Sequence, residues 1–502
     1  MPDGSVIRSA VIAIHGKVKW ESDSGVGMFI NHSDALIYNP PMLGYGIAVL
    51  DIEGNGRFAF FVAGFGCSNR VLIWDGERLV DRFDATLAAS ERQAIGVAAG
   101  DIDGDGREEI YVLNTDTFGG AKRFGDHLFA FREGQWADLF TTSKNQSIVN
   151  RVAGRSVCAT DRFGAGRYGF VIANYGGPIR LYETNGSNGS NGSNGSNGSY
   201  ELQDSAPDAG IARVTGGRSL VSLPLVSAPG TMDIFAANEN GPNFLFVSNG
   251  DGTYTDRAEE LGVADPYENG RGIAVLDADA NGRFDLCIGN WEGEQRLYLQ
   301  SLVGGFLDTA SSDLARPLTV RTVIAADFDN DGVEELFFNA IGQPNRLFAY
   351  RDGAWRRAPL GDAEEALELG TGAAVADIDG DGRLELLISH GESGEQPLSF
   401  YKPVANENAY LRVQPLTASG APARGAVVTL QTRSRIQRRA IDAGSGYLCQ
   451  MEPVAHFGLG SETAVESVHI VWPGGASTTI EHPAVRQTLR LFPPSGPSLT
   501  GE

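Results

Sequence analysis

Cysteine is scarce in this chain: four residues in 502, Cys67, Cys158, Cys287 and Cys449, with no C-x-x-C pair. Such dispersed thiols make no disulfide framework and read as free, mostly buried groups compatible with a reducing compartment. Positive charge is also in deficit, with 40 Lys and Arg against 63 Asp and Glu and a net charge of −23. That argues against a nucleic-acid partner, whose phosphates demand clustered basic residues. No segment approaches 18 consecutive apolar residues, so membrane insertion is not expected. The first residues place Asp3 where a secretory leader wants positive charge, and Arg8 interrupts the apolar run Val6–Ile14. The chain as it stands therefore reads as cytoplasmic, or as extracellular if a leader has been removed. H-E-x-x-H, G-x-S-x-G, Walker and dinucleotide motifs are lacking in any convincing context, which removes most support for redox, phosphoryl-transfer and serine-hydrolase chemistry.

What the chain has instead is a repeated acidic nonapeptide. Asp101–Glu109 reads D-I-D-G-D-G-R-E-E, and related stretches begin at Asp51, Asp277, Asp327 and Asp377. Oxygen side chains at positions one, three, five and nine, around a Gly at position six, suit a hard cation such as Ca²⁺. The predicted metal ligands are Asp51, Glu53 and Asn55; Asp101, Asp103, Asp105 and Glu109; Asp277, Asp279, Asn281 and Asp285; Asp327, Asp329, Asp331 and Glu335; and Asp377, Asp379, Asp381 and Glu385. Position seven joins them (Arg107, Arg283, Val333, Arg383), through the backbone oxygen that even Val333 possesses. About four to five Ca²⁺ ions are expected, the first loop being weakest because Ala59 supplies no ninth ligand. An ordinary Asp-Gly turn explains one such loop; five in register favour metal.

Small apolar runs flank each loop, as in Gly96-Val-Ala-Ala-Gly100 before and Ile110-Tyr-Val-Leu113 after, so each loop joins two buried strands. EF-hand helices and the bidentate Glu at position twelve are absent. Anchoring on position nine gives Ala59, Glu109, Gly169, Asp233, Asp285, Glu335 and Glu385, spaced 50, 60, 64, 52, 50 and 50. The third and fourth members are degenerate. Units of roughly 40 to 50 residues match a four-stranded propeller blade. The expected fold is all-β: a seven-bladed β-propeller over residues 1–404, with part of residues 5–32 completing the last blade. An Asn-Gly-Ser tract, 185–199, forms a flexible loop in the third blade. Residues 405–492 read as a small β-sandwich-like domain, and 493–502 as a disordered tail.

The D-x-D-x-D/N-G repeats resemble FG-GAP or VCBS propeller repeats. Gly444-Ser-Gly-Tyr-Leu448, His456-Phe-Gly-Leu-Gly460 and Val468-His-Ile-Val-Trp-Pro-Gly474 resemble the ASPIC/UnbV domain. Together they make the chain similar to the cartilage acidic protein family over nearly its whole length. The resemblance implies a calcium-binding propeller with an appended ASPIC/UnbV domain. Animal members are matrix or receptor-binding proteins, bacterial members are often exported, and the UnbV name comes from enediyne natural-product gene clusters.

Five residues past the ninth loop position the register gives Gly64, Asn114, Asn174, Asn238, Asn290, Ala340 and His390, a ring expected on the face opposite the metal loops. Asn at these positions either caps a turn or, with Trp291, lines a ligand pocket. His390, Glu392 and Glu292 are the candidate acid–base residues. The basic stretch Arg424, Arg433, Arg435, Arg438 and Arg439 reads as a solvated strand face, or alternatively as a surface that docks on the acidic propeller. Two functions stay open. One is recognition of a protein, glycan or small-molecule ligand at the central face. The other is a calcium-dependent, cofactor-free cyclase, isomerase or lyase of natural-product or polysaccharide metabolism using the central pocket.

Overall fold

The computed structural model describes residues 27–185, 201–302, 304–442, 444 and 447–494. The apolar run Ser9–Ile14, the Asn-Gly-Ser copies beyond Asn185 and the tail from residue 495 lie outside the described residues.

Each repeat builds a short antiparallel sheet. The strands before the acidic loops, Gly44–Leu50, Ala94–Gly100, Gly154–Thr160, Val214–Leu223, Gly270–Leu276, Val320–Ala326 and Gly370–Ala376, are the innermost. Each lies against the next, and Gly370–Ala376 lies against Gly44–Leu50, so the ring closes as a propeller. The strands after the loops begin at Ala59, Glu109, Gly169, Asp233, Asp285, Glu335 and Glu385, the positions on which the repeat was anchored. Two further strands complete each four-stranded sheet. One departure is that Gly169–Pro178 also pairs with Val214–Leu223, which joins two four-strand runs into an eight-stranded sheet. The last sheet takes its outer strand from the start of the chain, where Phe29–Asn31 pairs antiparallel with Ser399–Pro403. That pairing covers an edge that would otherwise be open. Apolar side chains of neighbouring sheets interdigitate between them, as Ile47, Val49 and Phe60 do with Leu386, Ile388 and Phe400.

Beyond Val404 the chain forms two packed sheets. Ala455–Gly460, Ala409–Pro415 and Thr488–Leu491 make one; Ile436–Ala440, Val427–Gln431, Ser467–Val471 and Ser477–Glu481 make the other. Leu411, Val428, Phe457, Ile470 and Trp472 fill the space between them, and the Trp472 indole donates to the Leu416 carbonyl at 2.9 Å. Two of these strands were not expected. Ala455–Gly460 contains Gly458 and Gly460, which weaken strand propensity, and Ser477–Glu481 has only Ile480 as a large apolar residue.

This domain covers the metal-loop face of the propeller, and the basic stretch is part of the contact. Arg424 is fully buried and meets Glu108 at 2.6 Å; Arg439 meets Glu334 at 3.1 Å. Arg435 donates to the Asp331 carbonyl at 2.7 Å, and Arg438 to that of Gly282. Arg433 alone of the five is exposed. The expectation of a solvated face is thereby corrected: charge complementarity with the acidic propeller turns the basic strand inward.

The same domain also enters the channel. Gln450 accepts from Val49 N–H at 3.0 Å and donates its own N–H to the Ile47 carbonyl at 2.9 Å, while its side-chain amide exchanges bonds with the backbone of Ala99 at 2.7 and 3.1 Å. Leu448 accepts from Val97 N–H at 3.2 Å, and Ile47 N–H points at Cys449 Sγ at 3.4 Å. Glycine makes room for this segment. A Cβ on Gly46 would lie 2.2 Å from the Leu448 carbonyl oxygen, and one on Gly372 would lie 3.1 Å from Cys449 Sγ. Residues 447–451 of the chain itself enter the central channel expected to hold a ligand, and a cavity of about 110 Å³ remains beside them, lined by Val221, Ala274, Ile324 and Val375 of the inner strands and by Met451 and Glu452.

Removing one member of a fully buried ion pair strands the other. Arg424→Met should cost about 3–5 kcal/mol in urea unfolding, with the Glu108→Gln/Arg424→Met double variant recovering part of the loss. Equal stability of Arg424→Met and the parent would show that the pair does not hold the domains together.

Candidate metal centres and the opposite face

Each loop is shaped by its first carboxylate. The Gly at position six donates its N–H to position one: Gly106 to Asp101 at 2.9 Å, Gly282 to Asp277 at 3.0 Å, Gly332 to Asp327 at 2.9 Å and Gly382 to Asp377 at 3.0 Å. The ninth residue opens the following strand and accepts from the second residue's N–H, as Glu109 does from Ile102 at 2.9 Å and Glu335 from Phe328 at 3.0 Å. These constraints turn positions one, three and nine toward a common point. Four groups result, Asp101/Asp103/Glu109, Asp277/Asp279/Asp285, Asp327/Asp329/Glu335 and Asp377/Asp379/Glu385, each with ligand oxygens within 4.8 Å of one another.

Position five is occupied by its own turn, since Asp105, Asn281, Asp331 and Asp381 each accept the N–H two residues on at 2.8–3.0 Å. At position seven the Arg107 guanidinium stacks 3.7 Å over Phe131 and that of Arg383 pairs with Asp381, so the backbone is what these residues offer a metal. The first loop has only two carboxylates, and Asp51 spends both oxygens on Asn55 N–H at 3.0 Å and Gly56 N–H at 2.6 Å.

The donor set fits a divalent cation. Asp277 Oδ1, Asp327 Oδ1, Asp377 Oδ1 and Glu385 Oε1 are buried with no hydrogen-bond partner. Burial, reinforced by neighbouring carboxylates, pushes Asp101 up to about 7 and Asp377 up to about 6, and holds Asp327, Glu335 and Glu385 well above the carboxylate range. Three groups have a cation from the third strand beside them: Arg132 lies 2.9 Å from Glu109, Arg351 lies 3.1 Å from Asp329, and Lys402 lies 3.5 Å from Glu385. Among the described residues no Lys or Arg ion-pairs with Asp277, Asp279 or Asp285.

The degenerate units hold the same turn through hydrogen bonds to a single carboxylate. Asp161 accepts from Ala165 and Gly166 at 3.1 and 2.7 Å. Asp233 accepts the N–H groups of Val226, Ser227 and Ser248 at 2.8, 2.8 and 2.9 Å, and the Ser227 hydroxyl at 2.5 Å. Asp233 thus keeps the ninth-position carboxylate but uses it as a hydrogen-bond hub, which spacing alone did not reveal.

The ring residues pair with the first part of each inner strand, Gly44↔Gly64, Ala94↔Asn114, Gly270↔Asn290 and Gly370↔His390, at the end away from the metal loops. Asn114, Asn174, Asn238 and Asn290 are buried. The side-chain amides of the last three donate to the carbonyls of Pro178, Pro242 and Glu294 at 2.6–2.7 Å, and Asn114 donates to Gly125 at 3.2 Å. The Oδ1 atoms of Asn114 and Asn290 have no partner. Their amide N–H groups cap turns, and Trp291, partly exposed beside them, is the member that reaches the surface.

His390 is buried, with Nδ1 2.7 Å from the Pro397 carbonyl and Nε2 3.1 Å from Glu365. Burial opposes charge on both partners, yet their pairing raises His390 and lowers Glu365. Glu392 turns instead to Arg321 at 2.9 Å, and Glu292 is an exposed loop residue with φ of +56°. No hydrogen bond or ion pair among the described residues links the three candidate acid–base groups. Sequence reasoning missed a set of arginines on this face, each at the residue that follows the ring position's partner in an inner strand; the repeat register contained the signal.

Family models match the chain at two places: an FG-GAP-like repeat at residues 51–112, 230–288, 277–338 and 327–388, and ASPIC and UnbV at residues 416–498. The chain is 46% identical over 467 residues to cartilage acidic protein 1 of Xenopus tropicalis, covering 87% of this chain and 71% of that protein. It is 46% identical to human cartilage acidic protein 1, covering 87% and 70%. Among solved structures, YCF48 from Cyanidioschyzon merolae superposes with a TM-score of 0.45 at 13% identity, covering 75% of this chain and 99% of that one.

Carboxylates raised in the folded state hold protons that the unfolded chain has released between about pH 4 and 7. Metal-free stability from this source is present at low pH and lost as pH rises through that window. A cation competes with those protons, so the gain in melting temperature on replacing chelator with a divalent cation should be larger at pH 7.5 than at pH 5.5. Saturation at about 100 times Kd adds about 2.7 kcal/mol per site. A gain independent of pH would contradict binding at these carboxylates.

Proposed function

Because the chain belongs to the cartilage acidic protein 1 family, we propose that it is a recognition protein: a seven-bladed propeller, residues 1–404, whose loops hold about four to five Ca²⁺ ions and whose opposite face receives a protein or glycan ligand. Calcium is favoured over softer metals because every donor is a hard oxygen on a loop with a glycine turn. Its role is structural, tying two strands together beneath the C-terminal domain, residues 405–492. A coordinatively filled ion of this kind supplies no open position for Lewis-acid chemistry.

One observation carries the reading. The C-terminal domain covers the loop face and enters the channel, the other end is uncovered among the described residues, and the connections there carry exposed large apolar residues. Phe118 is 64% exposed, Tyr267 95% and Leu367 79%. Apolar side chains rimmed by polar loops are the usual mark of an interaction surface. Trp291 stands at the centre of that face, and the buried Asn ring shapes the turns that present it. The cyclase alternative has no supporting observation, since His390 is locked between Glu365 and Pro397 and lies apart from Glu392 in its bonding.

Relatives are named for cartilage, and we place this protein's work outside the cell, where calcium is millimolar. Calorimetric titration in the presence of about 1 mM Mg²⁺ should then give Ca²⁺ dissociation constants near 10⁻⁴ to 10⁻³ M; values tighter than about 10⁻⁶ M would point to an intracellular role. Ligands found by glycan array or by proximity labelling should lose at least about tenfold in affinity to Trp291→Ala or Tyr267→Ala. Retained binding in both variants would move the site elsewhere.

A further inference from the structure

The ring positions fix which residues face the channel beside them. The residue after the ring's partner in each inner strand is, in order, Tyr45, Ile95, Arg155, Arg218, Arg271, Arg321 and Thr371. Four consecutive units therefore project an arginine at one level of the channel. Arg218, Arg271 and Arg321 are buried, and Arg155 is partly so.

Their counter-charge is incomplete. Glu239 accepts from both Arg218 and Arg271, the latter at 2.7 Å, and Glu392 pairs with Arg321 at 2.9 Å. Arg155 donates to the backbone carbonyls of Thr117 and Phe118 and, among the described residues, ion-pairs with no carboxylate. Four cations meet two anions, and Nε of Arg155, Arg271 and Arg321 is buried without a partner. Aromatic rings wall the cluster: Trp291 lies 4.4 Å from Arg321 and 5.6 Å from Arg271, Tyr175 lies 4.6 Å from Arg218, and Phe118 lies 5.2 Å from Arg155. An uncompensated buried charge is costly, and nothing in the acidic composition of the chain requires one here.

The plug ends at this cluster. Tyr447 is buried, and all four arginines act on its phenol, drawing it down to about 8 against the effect of burial. Arg271 is pushed down to about 10 by burial and by Arg218. Tyr45 also faces this point, and Glu392 together with burial pushes it up to about 12.

We propose that Arg155, Arg218, Arg271 and Arg321 form a binding site for a dianionic oxyanion, a sulfate or phosphate group borne by the ligand. The inference rests on the recognition reading above and adds the chemistry of what that face receives. Planar guanidinium groups match the paired oxygens of such an anion, and a charge of minus two balances the excess. Glu392, whose side chain is 42% exposed, is the carboxylate an incoming anion displaces from Arg321.

Titration of the full chain with sodium sulfate against sodium chloride at matched ionic strength tests this, read by Trp291 fluorescence and calorimetry; a parallel phosphate arm separates the two sources. Sulfate stays a dianion throughout, so pH dependence reports the protein. Saturable binding is expected at pH 6.5, weakening about tenfold by pH 9 as the Tyr447 phenolate forms and competes. Tyr447→Phe should remove that pH dependence and keep the binding. Arg271→Met should weaken binding at least tenfold, and the exposed-site variant Glu392→Gln should strengthen it several-fold. Identical responses to sulfate, phosphate and chloride, or an unchanged affinity in Glu392→Gln, would overturn the proposal. Loss of partner binding in Trp291→Ala without any sulfate site would remove the anion and leave the recognition face standing.

Discussion

Buried negative charge is the constraint on which this structure depends. Repeated acidic loops sit at one end of the propeller, and in three of the four three-carboxylate groups every member is buried or nearly so. Carboxylates brought this close in a medium of low dielectric repel one another and resist ionisation. Two sources of positive charge oppose that cost, a basic residue near the end of the third strand and arginines from the C-terminal domain, and a divalent cation bound in the loop would add a third. Arg412, which spans Asp377 and Glu452, belongs to the arginines of the C-terminal domain. The cap is therefore part of the electrostatic solution of the propeller, and its arginines face inward for that reason.

Geometry imposes a second coupling. Inner strands of a closed ring leave a channel, and here a segment of the same chain enters it. Small residues at one level, Gly46, Gly96, Gly272 and Gly372 with Ser156, Ser219 and Thr322, keep the channel wide enough. The plug pairs its backbone with Ile47 and Val49, so the C-terminal domain supplies hydrogen bonds to strands in the heart of the propeller. Closure by Phe29–Asn31 at the rim and by residues 447–451 at the axis uses both ends of the chain.

Much of this was legible in the sequence because the repeat is chemical as well as periodic. The repeat register, with a glycine at position six of every loop, located all seven second strands to the residue, including those that open on Ala59 and Gly169 where the others carry a carboxylate. The same register carried Arg155, Arg218, Arg271 and Arg321, which were overlooked because the ring was counted along the second strands rather than the inner ones. The inward turn of the basic stretch was legible only as the second of two readings: an exposed strand and a docked strand have the same alternation, and only the partner surface distinguishes them. Nor does any local pattern announce that Tyr447–Met451 enters a channel formed by residues hundreds of positions earlier. Asn114, Asn174, Asn238 and Asn290 show the converse, a conspicuous periodic signal whose amide N–H groups are spent on turns.

The account holds that propeller and C-terminal domain open as one cooperative unit. Native-state hydrogen exchange at increasing denaturant measures this directly, through the amides of Gln450, of its partner Val49 and of Val97, which donates to Leu448. All three should exchange with the same opening free energy, equal to that of global unfolding. Exchange of all three through an opening cheaper than global unfolding, while amides inside the blades such as that of Phe61 stay protected, would show that the plug is an accessory, and would contradict the account.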